Sequence, residues 1–355
     1  MRVIISVLVS ALGLSFAVAP AYTQKQDQKP QEENRFRIRL ESPPIWSHWD
    51  DSRNELVTSA ADIRPLGPDT PLVSIYNAVS GEKRSISIPK EFSKARYVYV
   101  DAIAVGPDGT ALVACEVGSD DGTFVGERLL SFDAHSTLTA NLLAADYDVG
   151  AVALDKHGNV YAVGTHNGEL SSEESYPLMV RYDSYGHITL ETLPRSLFST
   201  VEDPVGDGVG GIKTGATRLA IDEMAIEVYL APVSEMIVLN QAGEIQARVN
   251  VASRLAEFAK TKGYKSFFVE ADEFSPSGDL WFVGRLADAE DNQRPARNFV
   301  VRLTPTGQFQ VPYKSVGDEP RTYYLPKLIG FTQSDEPVGS SSGESGYLLV
   351  QKRPY

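Results

Sequence analysis

Acidic residues in long loops are the side chains of this sequence whose types and spacing could do chemistry. The string GSDDG at 118–122 places Asp120 beside Asp121 between glycines, where the backbone is flexible. Carboxylate and backbone oxygens are the ligands that Ca²⁺ and other hard cations prefer. The string lacks the regular spacing of a calcium-binding loop, so it is compatible with a cation site, and plain solvated loop charge is the alternative.

A second acidic set occupies equivalent places in repeated strings. Asp101 and Glu270 each stand eight residues before the glycine of a tight turn, and Asp272 and Arg218 lie close to this register. Carboxylates that converge on one axis can bind Ca²⁺ or another divalent cation, or can shift each other's pKa. We therefore predict a divalent-cation site at Asp101, Glu270 and Asp272, without assigning a certain cofactor. Strand-end charges that face water are the alternative.

The elements that must position these residues are repeated hairpins. The strings at 101–114, 150–164 and 272–285 each run from an apolar strand through a glycine turn into a second apolar strand. Glycine supplies the positive φ of a tight hairpin turn, and runs that are apolar on both faces predict strands buried on both sides. A more polar hairpin, as at 178–193, alternates with the first kind.

Two hairpins make one four-stranded sheet, and this unit recurs about every 50–60 residues. The alternation predicts an all-β chain folded as a β-propeller of six four-stranded blades, with five or seven blades and a pair of β-sandwiches as alternatives. The predicted units are 36–89, 98–143, 149–193, 216–251, 269–312 and 324–352. FRIRL at 36–40 is expected to complete the last sheet and close the ring. VASRLAEFAKTKGYK at 251–265 is predicted to hold a short helix.

The strings SPSGDLWFVG and DKHGNVYAVG resemble the repeats of six-bladed propellers of the NHL-repeat, TolB-like and gluconolactonase-like group. The resemblance covers residues 36–352 as a pattern of turns and apolar strands. That group includes binding modules, lactonases and lyases, so the resemblance implies the fold and selects no function. Its gluconolactonase-like branch commonly opens with Glu-Gly-Pro-x-Trp. ESPPIW at 41–46 has Ser42 in place of glycine and one extra residue, which weakens a metal-lactonase assignment.

Loop lengths predict which end of the propeller binds. The hairpin turns at one end are short, whereas the connections at the other end are long and acidic, and long loops on a rigid scaffold commonly carry binding sites. We therefore predict a ligand- or protein-binding module that uses this acidic long-loop face. Its candidate binding residues are Glu116, Asp120, Asp121, His166, Asn167, Arg218 and Arg285. A metal-dependent, lactonase-like hydrolase or lyase with a divalent cation at the channel mouth is the alternative.

The chain begins like an exported protein. Residues 1–21 read as a signal peptide with an uncleaved anchor as the alternative, 22–35 as a flexible linker, and 36–355 as one domain. We expect a periplasmic or secreted monomer with no membrane span after cleavage. A net charge of −14 disfavours nucleic acid and anionic lipid and suits cations or a basic partner, and we expect a small ligand or a basic protein as the partner. Cys115 is the only cysteine, so no internal disulfide forms, and we predict a buried, inert thiol.

Overall fold

A computed structural model describes most of the predicted domain. The described residues are 35–38, 46–60, 62–63, 70–92, 95–106, 108–119, 124–144, 147–166, 176–198, 205, 217–288, 297–312, 328–343 and 346–351. The predicted signal peptide and nearly all of the predicted linker lie outside these residues, as do Asp120, Asp121 and Asn167. Those assignments therefore stay predictions.

The described strands form five sheets. For the first two sheets, the strands are given in their spatial order. The first contains β1 (Arg35–Ile38), β25 (Gly346–Gln351), β24 (Pro337–Gly343), β23 (Leu328–Phe331), β2 (Trp46–Asp50), β3 (Glu55–Ser59), β5 (Pro71–Asn77) and β6 (Lys83–Ser87). The second contains β10 (Leu138–Leu143), β9 (Phe124–Phe132), β8 (Ala111–Ser119), β7 (Ala95–Val105) and β4 (Asp62–Ile63).

The other three sheets have four strands each, in chain order. The third contains β11 (Tyr147–Leu154), β12 (Val160–His166), β13 (Pro177–Tyr182) and β14 (Ile188–Pro194). The fourth contains β15 (Arg218–Ile221), β16 (Ala225–Leu230), β17 (Glu235–Asn240) and β18 (Ile245–Asn250). The fifth contains β19 (Ser266–Phe274), β20 (Leu280–Ala287), β21 (Arg297–Leu303) and β22 (Phe309–Gln310).

The sheets are arranged radially around an axis. Strands β2, β7, β11, β15, β19 and β23 lie innermost, each in contact with the next, and β23 returns to β2. Among the described strands, the pairings are antiparallel except that of β2 with β23. This arrangement confirms the prediction of an all-β propeller with four-stranded blades.

The blade count differs from the six that the sequence predicts, because the structure has five sheets. The predicted first and last units share one eight-stranded sheet, in which β2 pairs parallel with β23 through Trp49–Gly330 and Asp50–Phe331. Gly330 permits this close approach, since a Cβ at that position would lie 3.0 Å from the carbonyl oxygen of Trp49. The prediction of six separate blades is therefore wrong, and five was among its alternatives.

The two ends of the chain close the ring in the predicted way. Strand β1 adds antiparallel to the edge of β25, with Arg35 opposite Val350 and Ile38 opposite Tyr347. The outermost strand of this part of the sheet thus comes from the N-terminal side of the domain. Since β2 follows β1 in the chain, the first and last predicted units are joined both at the edge and at the axis.

The apolar core is divided among the junctions between neighbouring sheets. Val57 of the first sheet belongs to one cluster with Val113 of the second, and Tyr229 of the fourth stacks edge-on against Phe282 of the fifth. Cys115 lies in the first of these clusters and is fully buried, which confirms the predicted burial. Burial also raises the pKa of its thiol.

One α-helix, α1 (Val251–Thr261), lies where the sequence predicts it, four residues shorter than the predicted segment. Asn250 caps it, because its side chain accepts a hydrogen bond from the backbone N–H of Ser253. Leu255 and Phe258 are buried against the fourth and fifth sheets. Short 3₁₀ turns occur at Lys90–Phe92 and Arg195–Phe198. Across the described ranges, no helix is long and apolar enough to cross a membrane.

Candidate ligand site in the axial channel

The innermost strands leave a channel along the propeller axis. Its middle part, the channel cavity, has a volume of about 190 Å³ and is lined by five of these strands, with Trp46, Ala102, Ala151 and Leu219 among its walls. Several of the lining residues are alanine or valine. Polar and charged residues also line the space, namely Ser47, His48, Thr217, Arg218 and Glu273. The channel cavity is thus of mixed polarity.

A wider space lies where the innermost strands enter their hairpin turns. This turn-end cavity has a volume of about 510 Å³ and shares His48, Val105 and Glu273 with the channel cavity, so the two spaces are adjacent. Five acidic residues line it, and its described lining contains no lysine or arginine. These acidic residues are Asp50, Asp51, Asp222, Glu227 and Glu273.

Glu227 is a buried carboxylate on the wall of the turn-end cavity. It lies in β16 opposite Ala220 and Val238, and only 2% of the residue is exposed. Its Oε2 is buried without a hydrogen-bond partner, and its Oε1 lies so close to Gly278 that a Cβ there would be 3.0 Å away. Burial, and then the carboxylate of Asp222, raises the pKa of Glu227 to about 7.

Asp50 contributes a second buried oxygen to the same cavity. Its Oδ1 accepts hydrogen bonds from the backbone N–H and the hydroxyl of Ser52, at 3.0 and 2.6 Å, whereas its Oδ2 is buried without a partner. The neighbouring Asp51 is different, because Trp49 Nε1 donates to its Oδ1 and the Gln333 N–H donates to its Oδ2. The turn-end cavity therefore has two carboxylate oxygens with unused hydrogen-bonding capacity.

The structure brings Arg218 and Asp272 together, as their predicted register implies. Arg218 Nε lies 2.9 Å from Asp272 Oδ1 and donates to the Asp272 carbonyl at 3.1 Å, while Nη1 donates to the Thr217 carbonyl at 3.1 Å. The two side chains are 8% and 2% exposed. Burial alone would lower the pKa of Arg218, but Asp272 and then Glu273 raise it. The pair links the innermost strands of the fourth and fifth sheets.

Asp101 and Glu270 prove to be structurally equivalent. Each occupies a β-bulge of its innermost strand, as does Gly150 in the third sheet. Their partners differ, because the Glu116 N–H donates to Asp101 Oδ2 at 3.2 Å, whereas Arg285 Nε lies 2.5 Å from Glu270 Oε1. Neither residue lines the channel cavity.

The three predicted metal ligands therefore engage three different partners. Within the described part of the chain, no group of three or more His, Cys, Asp and Glu side chains could hold a metal ion. A divalent-cation site at Asp101, Glu270 and Asp272 stays a prediction.

Asp101 and Glu116, both predicted site residues, lie near a buried carboxyl group that the sequence reasoning missed, that of Glu127. Glu127 is 2% exposed, and its Oε1 is buried without a partner. Burial raises the pKa of Glu127 to about 10, with further contributions from the carboxylates of Asp101, Asp148 and Glu116 in that order of effect. Glu116 accepts a hydrogen bond from the Tyr97 hydroxyl at 2.8 Å. A glutamate inside an otherwise apolar strand is the signal that could have revealed Glu227.

His166 lies at the end of β12, opposite Tyr147 of β11. Its ring stacks edge-on against Tyr147 and Tyr176, with centroid distances of 5.7 and 4.8 Å. Arg285 is 54% exposed in its ion pair with Glu270. The described members of the predicted binding face are thus spread over several sheets, and their binding role stays a prediction.

A ring of radial sheets around an axial cavity defines the chain as a β-propeller. No protein-family model and no curated protein matches the chain. Among solved structures, it is similar to a member of the DUF4221 family from Bacteroides vulgatus, with a TM-score of 0.50, 7% identity, and coverage of 91% of this chain and 96% of that one.

The propeller is also similar to two solved proteins with enzyme names. One is a gluconolactonase from Xanthomonas campestris, with a TM-score of 0.44, 12% identity, and coverage of 91% and 90% of the two chains. The other is a streptogramin B lyase, with a TM-score of 0.39, 11% identity, and coverage of 90% and 97%. At these identities the similarities concern the fold alone.

Proposed function

We propose that the protein is a ligand-binding propeller whose site is the turn-end cavity. The observation that carries this proposal is the cavity itself, about 510 Å³ in volume and adjacent to the channel cavity. Small-molecule sites are typically pockets of roughly 300–1,000 Å³ with apolar walls and a few polar groups. Phe274, Phe331 and Val105 supply apolar wall, while Glu227 and Asp50 supply polar groups.

This proposal moves the site away from the predicted acidic long-loop face. That face was favoured because its loops are long, whereas the geometric support lies among the short turns. A small ligand or a basic protein partner at the long-loop face stays a separate prediction, since Asp120, Asp121 and Asn167 lie outside the described residues. Export to the periplasm or medium and a monomeric state also stay predictions, supported by the N-terminal string and the acidic composition.

Blocking the cavity tests the proposal. Val105 lines both the channel cavity and the turn-end cavity, so Val105→Phe places a ring where they meet. Ligand-observed NMR with one fixed library of neutral, cationic and anionic fragments would be run on the wild type, Val105→Phe and the milder Val105→Ile. Fragments should bind the wild type and Val105→Ile and be lost from Val105→Phe.

A second blocking variant, Ala220→Phe, guards against a folding defect in the first. Each variant is accepted only if its circular dichroism spectrum matches that of the wild type. The turn-end cavity is not the site if no fragment binds the wild type. The same conclusion follows if the fragments that bind the wild type also bind folded Val105→Phe and folded Ala220→Phe.

A metal-dependent hydrolase or lyase is the second candidate. It rests on the sequence prediction of a cation ligand at Asp101, because the described residues contain no group of three or more such side chains that could hold a metal ion. Addition of Ca²⁺ should then raise the melting temperature of the wild type and not that of Asp101→Asn. The same series with Glu270→Gln asks whether the originally predicted ligand set contributes. An unchanged melting temperature with Ca²⁺, Mg²⁺ and Mn²⁺ would remove this candidate.

A further inference from the structure

We infer that the turn-end cavity takes a small organic cation, with its ammonium or guanidinium group between Glu227 and Asp50. This inference rests on the proposed function, because it names the chemical class of the ligand for the same cavity. It goes beyond that function by assigning the two residues that recognise the ligand. The charge of the lining, the two unpartnered oxygens and the size and walls of the space support it.

The lining of the turn-end cavity carries charge of one sign. Asp50, Asp51, Asp222, Glu227 and Glu273 line it, and no lysine or arginine is found among the described lining residues. A nearby basic group is Arg218, which lines the channel cavity and whose Nε lies 4.0 Å from Glu273 Oε2, so Glu273 is partly compensated whereas Glu227 and Asp50 are not. A low-dielectric wall with clustered carboxylates focuses a negative potential into the space and attracts a cation.

The two unpartnered oxygens show where the cation's donors would go. Buried polar atoms are nearly always hydrogen-bonded, and an exception calls for an explanation. Asp51 follows the rule by accepting from Trp49 and Gln333. Glu227 Oε2 and Asp50 Oδ2 do not follow it, and both residues line the same cavity. A positively charged N–H donor that reaches either oxygen would form a strong, charge-assisted hydrogen bond with it.

The size and walls of the cavity favour an organic cation over a bare metal ion. Oxygen ligands surround Ca²⁺ at about 2.3–2.6 Å, which requires a far smaller space than about 510 Å³. The rings of Phe274, Phe331 and Trp49 belong to the walls. Such rings can pack against the carbon skeleton of a ligand and can attract its charged group through cation–π contact.

Matched probes test the charge requirement directly. Benzylammonium and phenylguanidinium would be compared with the neutral isostere benzyl alcohol by isothermal titration calorimetry at about pH 8, where most of Glu227 is ionised. We expect each cation to bind the wild type about tenfold or more tightly than the alcohol, since a hydrogen bond to a charged group is worth about that much.

Conservative variants test the two residues. Glu227→Gln and Asp50→Asn should each reduce the affinity for the cations about tenfold and leave that for benzyl alcohol unchanged. Glu223→Gln is the matched control, because Glu223 is an exposed carboxylate of the turn beside Asp222 that does not line the cavity. It should leave the affinity for both kinds of probe unchanged.

The outcomes separate the inference from the function on which it rests. If neutral fragments bind in the cavity and the cations bind no more tightly, the inference is overturned while the ligand-binding function stands. The same follows if Glu223→Gln weakens cation binding as much as Glu227→Gln does. If no fragment of any charge binds the wild type, the proposed function fails and the inference fails with it.

Discussion

Glu127 and Glu227 are two buried glutamates whose surroundings differ in an instructive way. Both are 2% exposed, both lie in interior strands of their sheets, and each has one buried carboxylate oxygen without a partner. Glu127 is surrounded by the carboxyl groups of Asp101, Asp148 and Glu116 and lines neither the channel cavity nor the turn-end cavity. Glu227 has Asp222 as its main charged neighbour and borders the turn-end cavity.

The difference shows what a buried carboxyl group can do in each place. An ionised carboxylate is unfavourable in an apolar interior unless a cation or several donors compensate for the lost water. Glu127 avoids this cost by keeping its proton, since its pKa is about 10 and its carboxyl group is therefore neutral near pH 7. Glu227, with a pKa of about 7, is poised between the two forms and lies beside space for a cationic group. The surroundings of Glu127 thus favour its protonated form, whereas those of Glu227 leave room for a cationic ligand.

Glu127→Gln should give the largest effect. At about pH 8 the native state must hold a proton that the unfolded chain has released, because the pKa is about 10 in the fold and 4.5 in its absence. At about 1.4 kcal/mol per pH unit above 4.5, the substitution should raise the unfolding free energy by about 5 kcal/mol at pH 8. Near pH 4 the gain should vanish, because both states of the wild type are then protonated.

Denaturant unfolding across this pH range measures the gain, with Glu116→Gln as a less buried control. A gain that is the same at every pH would contradict the assigned protonation of Glu127. Since its pKa is about 10, the gain should still be increasing at pH 9.

Arg218→Met sharpens the comparison, because Asp272 is the buried carboxylate that does have a cation. Removal of Arg218 leaves Asp272 buried without its ion pair, and breaking such a pair typically lowers the unfolding free energy by about 3–5 kcal/mol. Arg285→Met is the control, since Arg285 is 54% exposed and its pair with Glu270 should contribute less than about 1 kcal/mol. Equal losses in urea unfolding for the two variants would show that burial does not distinguish the pairs.

Glu227→Gln should stabilise the protein by about 3 kcal/mol at pH 8. The native pKa of about 7 lies above the ordinary 4.5, so the wild type loses stability as the pH rises between these values and little more beyond pH 8. The gain from the substitution, measured by denaturant unfolding, should therefore level off, unlike that from Glu127→Gln. If Glu227→Gln destabilises the protein instead, the carboxylate has a partner in solution and the comparison fails.

Local sequence patterns could predict the ring of hairpins and the equivalence of Asp101 with Glu270. The turn glycines Gly109, Gly158 and Gly278 all have φ near +80°, and counting back from them reaches the bulges at Asp101 and Glu270. These features depend on contacts within one hairpin, which a short string specifies.

Features that join distant parts of the chain could not be predicted in this way. The pairing of Trp49 with Gly330 depends on the three-dimensional meeting of the first and last units, so the sequence pattern predicts six sheets where five form. The turn-end cavity also combines residues of several sheets, from Asp50 to Phe331. Loop length alone predicted a site at the long-loop end of the propeller. Loop length does not indicate where buried carboxylate oxygens lack hydrogen-bond partners.

Apart from the controls, Gly330→Ala should change the unfolding free energy least among these substitutions. It tests whether the site at Glu227 differs from that at Glu127 through the shape of the cavity as well as through charge. Gly330 has φ of +151°, and a Cβ there would lie 3.0 Å from the Trp49 carbonyl oxygen, so β2 and β23 must separate. We expect a loss of about 2 kcal/mol in unfolding free energy. Gly158→Ala is the control, because Gly158 also has a positive φ of +80° but nothing lies within 4 Å of the added methyl group. It should lower the unfolding free energy by about 1 kcal/mol.

Since Gly330 lines the turn-end cavity, Gly330→Ala should also weaken fragment binding, while the pH dependence of stability due to Glu127 stays unchanged. Unaltered fragment binding in a destabilised Gly330→Ala variant would mean that the paired strands β2 and β23 do not shape the site, and that its selectivity depends on Glu227 and Asp50 alone.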